Sequence, residues 1–209
     1  MSAESDPIFE RIAWRYDLVN KILSFGREQV WRRRGSEYLP EGIVLDLGSG
    51  TGAAAPVLSD RVVVGLDPVR EMLGLSSIHN RVVGVGEQLP FADGSFDGVF
   101  SAYVFRNLTS VNDTLKEVGR VLRPGGRLVV IDLSRPRNQL LAGIHRAASA
   151  VFLPLAGLVA GAPRDYLYLH RSLDKLDPPE QLYADVALKT VAIWRMGLFG
   201  FVYGAVLEK

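Results

Sequence analysis

Cysteine is absent from this 209-residue chain, which excludes disulfide bonds, thiolate catalysis and cysteine-ligated zinc and fits a cytoplasmic setting. Net charge is nearly absent too: 24 basic against 23 acidic residues leave a formal charge of +1, and there are only three histidines. No overall field draws such a chain to nucleic acid or to anionic lipid, and no metal site is expected. A run long enough to span a bilayer is also missing. The longest charge-free apolar stretch, residues 147–162, is broken by Pro154 and bounded by Arg146 and Arg164, short of the roughly 20 residues a spanning helix needs. It reads as a buried or interfacial helical segment. Residues 1–7 are polar and acidic and do not resemble a secretion signal, so an intracellular protein is expected.

What is present is the composition of a globular domain, with 48% hydrophobic and 22% charged residues and a mean hydropathy of +0.13. The length suits one core rather than two ordinary α/β domains. Residues 1–40 read as an N-terminal helical cap, with Ile8, Ile12, Leu18, Ile22 and Leu23 at helical spacings and a break at Gly26. After the Pro40-Glu41-Gly42 turn, Ile43-Val44-Leu45-Asp46-Leu47 is a short apolar run ending in glycines. Residues 62–66 and 81–85 repeat it, separated by helix-sized or nearly helix-sized segments, which is the rhythm of a parallel sheet. A fourth strand is predicted over 96–102, a helix over 111–122, a stop at Pro124-Gly125-Gly126 and a fifth strand over 127–133. A mostly helical apolar insertion at 138–170 interrupts the rhythm, and Pro178-Pro179-Glu180 opens another helix. Residues 188–193 and 201–207 then read as a hairpin that adds an antiparallel strand. The expected fold is a single Rossmann-like α/β domain. Its sheet is seven-stranded and mostly parallel with one antiparallel strand, helices cover both faces, and the cap and a helical lid complete it.

The sharpest signal is Gly48-Ser49-Gly50-Thr51-Gly52, directly after the first strand. Glycines let the backbone turn tightly and approach a ligand, and a helix starting there offers unpaired amides. With Ala53 the same residues satisfy the G-x-G-x-x-G/A pattern of dinucleotide enzymes, so the turn alone leaves two cofactor classes open. Asp67, about 20 residues on, suits the ribose hydroxyls of either. Asp46 tips the balance, because a carboxylate just before the glycines attracts the cationic amino-acid end of S-adenosylmethionine and repels a pyrophosphate. The chain also lacks room for a separate substrate domain. The bland alternative is a purely structural strand-to-helix turn.

With these residues in place, the chain resembles the C-methyltransferases of ubiquinone and menaquinone biosynthesis, which methylate a ring carbon of a polyprenyl quinol. The resemblance runs through residues 8–20, including Tyr16-Asp17, then Leu23-Ser24-Phe25-Gly26 and Trp31-Arg32-Arg33-Arg34. It continues in Arg106-Asn107, in Tyr166-Leu167-Tyr168-Leu169, and in Ser172 and Glu180. Residues 89–97 and Val121-Leu122-Arg123-Pro124-Gly125-Gly126 are shared more widely among methyltransferases. The resemblance implies S-adenosylmethionine as cofactor, with Gly48, Ser49, Gly50 and Thr51 along its methionine moiety. It also implies Asp67 on the ribose beside Pro68 and Met72, and Val85, Gly86 and Glu87 at the adenine. There are three departures. Val85 stands where the family has Asp or Asn, which removes a side-chain hydrogen bond to the adenine amino group but leaves the Gly86 amide. Ala102 stands where the family has serine, with Ser101 one place away on what should be the opposite strand face. Residues 194–203 differ from the family's glycine-rich ending.

Carbon methylation needs a ring carbon activated by loss of a neighbouring hydroxyl proton and aligned with the donor away from water. A guanidinium stays protonated, so Arg106 is assigned to stabilising the phenolate and Asn107 to orienting the ring oxygen or a water. A solvent-exposed loop charge is the alternative for Arg106. The proton acceptor stays open among Tyr16, Asp17 and His170, while His79 and His145 read as surface or core residues and Arg32-Arg33-Arg34 as a solvated helix face, with contact to phosphate or lipid headgroups as the alternative. The expected partner is a lipophilic quinol rather than nucleic acid, with a homodimer as a further expectation. A prenylated acceptor lives in the bilayer, and residues 140–159, near Arg137, Arg146 and Arg164, suit a mobile lid in peripheral membrane contact. Two other readings compete: a methyltransferase for a different small acceptor, and a non-catalytic methyltransferase-like scaffold, which Val85 would favour.

Overall fold

The structure, a computed structural model, describes residues 26–159, 170–174, 176–184 and 186–209. Among these, β1 (Ile43–Leu47), β2 (Val62–Asp67), β3 (Asn80–Val83), β4 (Phe96–Ala102), β5 (Leu122–Leu133), β6 (Lys189–Met196) and β7 (Val202–Glu208) form one seven-stranded sheet in the order β3-β2-β1-β4-β5-β7-β6. Pairs within β1 to β5 are parallel, and β7 is antiparallel to both β5 and β6. One strand therefore opposes the rest, as the C-terminal hairpin implies. The hairpin is inserted inward: the last strand in the chain lies beside β5 and leaves β6 at the edge.

Period-two alternation gives the sheet two apolar faces. Leu45, Val99, Leu128 and Val130 point to one side with Leu115 and Val118 of α3 (Val111–Val121), while Val44, Phe100, Val129 and Ile131 point to the other with Trp31 of α1 (Glu28–Ser36). The Ser110 hydroxyl caps α3 by accepting from Asp113 N at 3.2 Å. In α1 an acidic first turn at Glu28 and a basic last turn at Arg33 and Arg34 complement the helix dipole. Gly35 lets α1 settle on β5, because a Cβ there would stand 2.9 Å from Ile131 Cδ1.

Several local expectations change. The helix expected after the glycine turn is only a 3-10 turn, Ala55–Val57, with Pro56 removing one N–H donor. The third strand ends at Val83, and Val85 instead makes an isolated bridge with Gln88. The fifth strand begins at Leu122 because the chain terminus holds Pro124-Gly125-Gly126 to the sheet: Gly125 N donates to Lys209 O at 2.9 Å and Lys209 N to Gly126 O at 3.0 Å. A short α2 (Arg70–Leu75) follows β2, and α5 (Pro179–Leu182) opens at the proline pair. Of the expected insertion, α4 (Gln139–Val159) is described, and Asn138 Oδ1 caps it by accepting from Leu140 N and Leu141 N. The cap residues Tyr16 and Asp17, and Tyr166-Leu167-Tyr168-Leu169, lie outside the described residues.

Candidate active site

Strand order reverses at β1. The chain runs from β1 outward through β2 and β3, then returns to place β4 on the other side of β1. Parallel α/β sheets open a crevice beyond the carboxyl ends of strands at such a point. Here it is a cavity of about 550 Å³, walled by the glycine turn after β1, the end of β2, the segment after β3 and the turn after β4.

In the glycine turn, Gly48, Gly50 and Gly52 all have left-handed φ, at 71°, 54° and 81°. A Cβ on Gly50 would come within 3.2 Å of Met72 Cε, and one on Gly48 would strike Val104. Backbone thus forms this wall, where a ligand can approach closely. Asp67, buried at the end of β2, fixes the turn through one oxygen and its own loop through the other: Oδ2 accepts from Gly50 N and Oδ1 from Val69 N, each at 2.9 Å. As a carboxylate that lines the cavity, this group is an acceptor of the type that hydroxyls need.

Asp46 is 2% exposed, and its Oδ2, like the Ser49 hydroxyl, has no hydrogen-bond partner among the described residues. Burial raises its carboxyl to about 6, partly offset by the nearby Ser49 hydroxyl and the Arg32 guanidinium. An ionised Asp46 here calls for a cation.

Gly48, Ser49, Gly50, Thr51, Asp67, Pro68 and Met72 all line the cavity with Asp46, as do Val85, Gly86, Glu87, Ala102 and Asn107 across it. Glu87 is committed on one side, its Oε1 accepting from Thr109 N at 2.7 Å and Ser110 N at 3.2 Å. Gly86 leaves little room for a side chain, since a Cβ would sit 3.0 Å from Thr114 Cγ2. Ser101 lies beneath the cavity, fully buried, with its hydroxyl donating to Leu47 O at 3.0 Å.

Arg106 is neither a solvent-exposed loop charge nor a cavity wall. It is 6% exposed, and its guanidinium donates to the fully buried Asp132 at 2.9 Å. The cavity-facing member of the Arg106-Asn107 pair is Asn107, which donates to Tyr103 O at 3.3 Å. The histidines stand elsewhere. His79 is exposed, while His145 and His170 join Arg135 and Ser149 in a polar cluster beside α4.

Among the cavity residues that the sequence did not single out are Arg32 and Tyr103. Arg32 is 4% exposed while Arg33 and Arg34 are exposed, so the triple arginine is not one solvated face. Its Nε and Nη1 have no hydrogen-bond partner among the described residues, although a donor left so costs about 1–3 kcal/mol. The guanidinium lies over the Tyr103 ring at 5.2 Å. Tyr103 has a left-handed φ of 66°, a strained conformation for a bulky residue, and burial pushes its phenol well above the usual range. The helical spacing of Trp31, Arg32, Gly35 and Ser36, the buried face of α1, was the available signal for Arg32.

A profile of the ubiE/COQ5 methyltransferase family matches residues 2–192. Over 196 residues the chain is 38% identical to a demethylmenaquinone methyltransferase of Thermus thermophilus, covering 86% of this chain and 89% of that one. It is 35% identical over 198 residues to the ubiquinone/menaquinone biosynthesis C-methyltransferase UbiE of Geotalea daltonii, covering 86% and 84%. Among solved structures, a SAM-dependent methyltransferase of Thermotoga maritima, described as a possible histamine N-methyltransferase, shares the fold with a TM-score of 0.63. It is 19% identical, over 98% of this chain and 99% of that one.

Proposed function

The chain belongs to the ubiE/COQ5 methyltransferase family, and from that premise we propose that it methylates a ring carbon of a prenylated quinol with S-adenosylmethionine as donor. It is an S-adenosylmethionine-dependent methyltransferase. The observation that carries the acceptor class is the 35–38% identity, over most of both chains, to proteins named for demethylmenaquinone or ubiquinone/menaquinone methylation.

The cavity fits the cofactor on its own terms. An unpartnered Asp46 oxygen suits an ammonium, a backbone cradle at Gly48, Ser49, Gly50 and Thr51 suits a chain passing close, and Asp67 suits vicinal hydroxyls. Val85 and Gly86 supply an apolar wall and an amide for the adenine, beside Pro68 and Met72. When bound, the cofactor supplies an electrophilic sulfonium methyl group. The protein's own part is to exclude water, align the acceptor ring and stabilise charge on its oxygen. Asn107 takes the direct contact with that oxygen. Arg106, tied to Asp132, anchors the 3-10 turn Phe105–Asn107 that presents it. Tyr16, which lies outside the described residues, is the candidate for a further contact with the acceptor.

Within this single domain, residues 138–170 act as a lid that touches lipid. In support, Leu140, Ile144, Val151 and Leu155 are all exposed along one stripe of α4, while Leu153 is buried. No helix among the described residues is long and apolar enough to cross a membrane, and the contact proposed is a peripheral one. Incubation with methyl-labelled donor and a quinol extract, followed by product mass spectrometry, tests the acceptor. Label on a ring carbon of a prenylated quinol is expected. Label only on polar acceptors would replace this reading with a different small-molecule methyltransferase, and no donor binding would leave a binding scaffold.

A further inference from the structure

We propose that Arg135 is the hub of a pH-sensitive clasp that ties the helical insertion to the sheet at both of its ends, and that protonation of His145 opens it. The clasp stands on its own geometry. Its consequence, entry of an acceptor beneath a released insertion, rests on the lid reading of residues 138–170 above.

Arg135 lies just past the end of β5, with its side chain 10% exposed. Its Nε and Nη2 donate to the two oxygens of Asp174 at 3.0 and 2.7 Å, and Nη2 donates again to His170 O at 3.2 Å. Its Nη1 meets His145 Nδ1 at 3.1 Å and donates to Ser149 Oγ at 2.9 Å. A guanidinium has five N–H donors in one plane, and here all five have an acceptor. His145 and Ser149 belong to α4, near the start of the insertion, while His170 and Asp174 belong to the segment at and just beyond its end. One side chain therefore holds both ends. Arg146 of α4 adds a second tie, donating to Asp174 Oδ1 at 2.9 Å, and Ser149 Oγ meets His170 Nδ1 at 2.9 Å. A polar network satisfied in this way is rigid, and it is sensitive to the loss of a member.

His145 is the member that changes near neutral pH. To accept from Arg135 its ring must be neutral, with the proton on Nε2. Protonation turns Nδ1 into a donor and sets two cations 3.1 Å apart. Among the described residues, Arg135 and His170 oppose a charge on this ring and Asp174 favours one. Phe201 stacks on it at 5.9 Å, and Arg146 of its own helix is engaged with Asp174. Burial, with the Arg135 charge, holds the His145 pKa below its ordinary 6.5. The closed clasp thus binds fewer protons than the open one, so it is favoured at neutral pH and loses ground as pH falls below 6.5. The other members keep their bonds in that range. Hydrogen bonds from Arg135 and Arg146 hold the Asp174 carboxyl well below the usual carboxylate range. His170 gives Arg135 its backbone carbonyl, and its ring faces a hydroxyl that can donate or accept.

Hydrogen exchange of the full chain at pH 7.5 and 5.5, corrected for the intrinsic effect of pH on exchange, reads the clasp directly. Turnover does not, because Asp46 titrates in the same range. Protection of α4 should fall by about fivefold or more at the lower pH while β5 keeps its own. His145→Gln should make α4 protection independent of pH, and Arg135→Lys, which cannot form the fork, should leave α4 weakly protected at both values. The chain has three histidines, so the imidazole resonance of His145 can be followed in the parent, and its midpoint should coincide with that of the exchange change. Unchanged α4 protection in the parent overturns the clasp, as does a fall shared by β5 or a midpoint that departs from that of His145, and none of these needs a variant to fold. A fall that survives in His145→Gln overturns it as well. No lipid or acceptor enters the experiment, so its failure leaves the lid reading standing, and a clasp that opens in a protein indifferent to liposomes removes the lid reading alone.

Discussion

The Arg106 guanidinium donates to the Asp132 carboxylate at 2.9 Å across 26 residues of sequence, with the aspartate fully buried on β5 and the arginine beside the cavity residue Asn107. Removing one member of such a pair strands the other charge, at a cost of about 3–5 kcal/mol. Arg106→Met should therefore lower the thermal midpoint sharply, and the double variant Arg106→Met with Asp132→Leu should recover much of the loss. Thermal unfolding of the three proteins checks this, and additive losses would show that the pair is not coupled.

Asp67 joins the glycine turn to β2 through Gly50 N and faces the cavity. Asp67→Asn keeps an acceptor oxygen for the turn but removes the charge from any ribose contact. S-adenosylmethionine affinity should fall at least tenfold, in line with the roughly 1.5–3 kcal/mol of a hydrogen bond to a charged group. Calorimetry reads this directly, and an unchanged affinity would remove Asp67 from the site.

The Asp46 carboxyl, at about 6 in the folded protein against an ordinary value of 3.8, binds protons more tightly folded than unfolded. Between those two pH values the native state holds more protons, so this group's effect on stability becomes less favourable as pH rises. Above pH 6 the penalty reaches its full size, on the order of 3 kcal/mol. Asp46→Asn should therefore raise stability relative to the parent at pH 7 more than at pH 4 and weaken donor binding at pH 7. Donor affinity of the parent should rise with pH through about 6, as the carboxylate ionises. Denaturant unfolding at both pH values decides the first point, and a variant no more stabilised at pH 7 than at pH 4 would refute it.

Leu140, Ile144, Val151 and Leu155 leave an apolar stripe of α4 exposed. The protein should float with anionic liposomes weakly and reversibly, and Leu140→Asp with Ile144→Asp should abolish flotation without loss of fold. Failure of the parent to float, together with a stripe-dependent dimer in sedimentation, would assign this surface to a subunit contact instead.

Much of the site was legible because its signals are local. The glycine turn needs left-handed backbone at Gly48, Gly50 and Gly52, and few residues other than glycine supply it cheaply. Asp46 and Asp67 are named by standing at the ends of apolar runs. The helix expected after the turn failed for the opposite reason: nothing in a short segment containing Pro56 compels more than a 3-10 turn.

By itself, then, the sequence determined the strands of the sheet, that one strand would oppose the others and the left-handed glycine turn at the cavity, because alternation and glycine act over a few residues. Only the tertiary structure decided that β7 lies between β5 and β6, that Arg32 is buried while Arg33 and Arg34 are exposed, and that Arg106 answers to Asp132 rather than to solvent. The burial of a charge depends on which distant elements close over it: helical spacing can put Arg32 on the inward face of α1, but it does not say what covers that face.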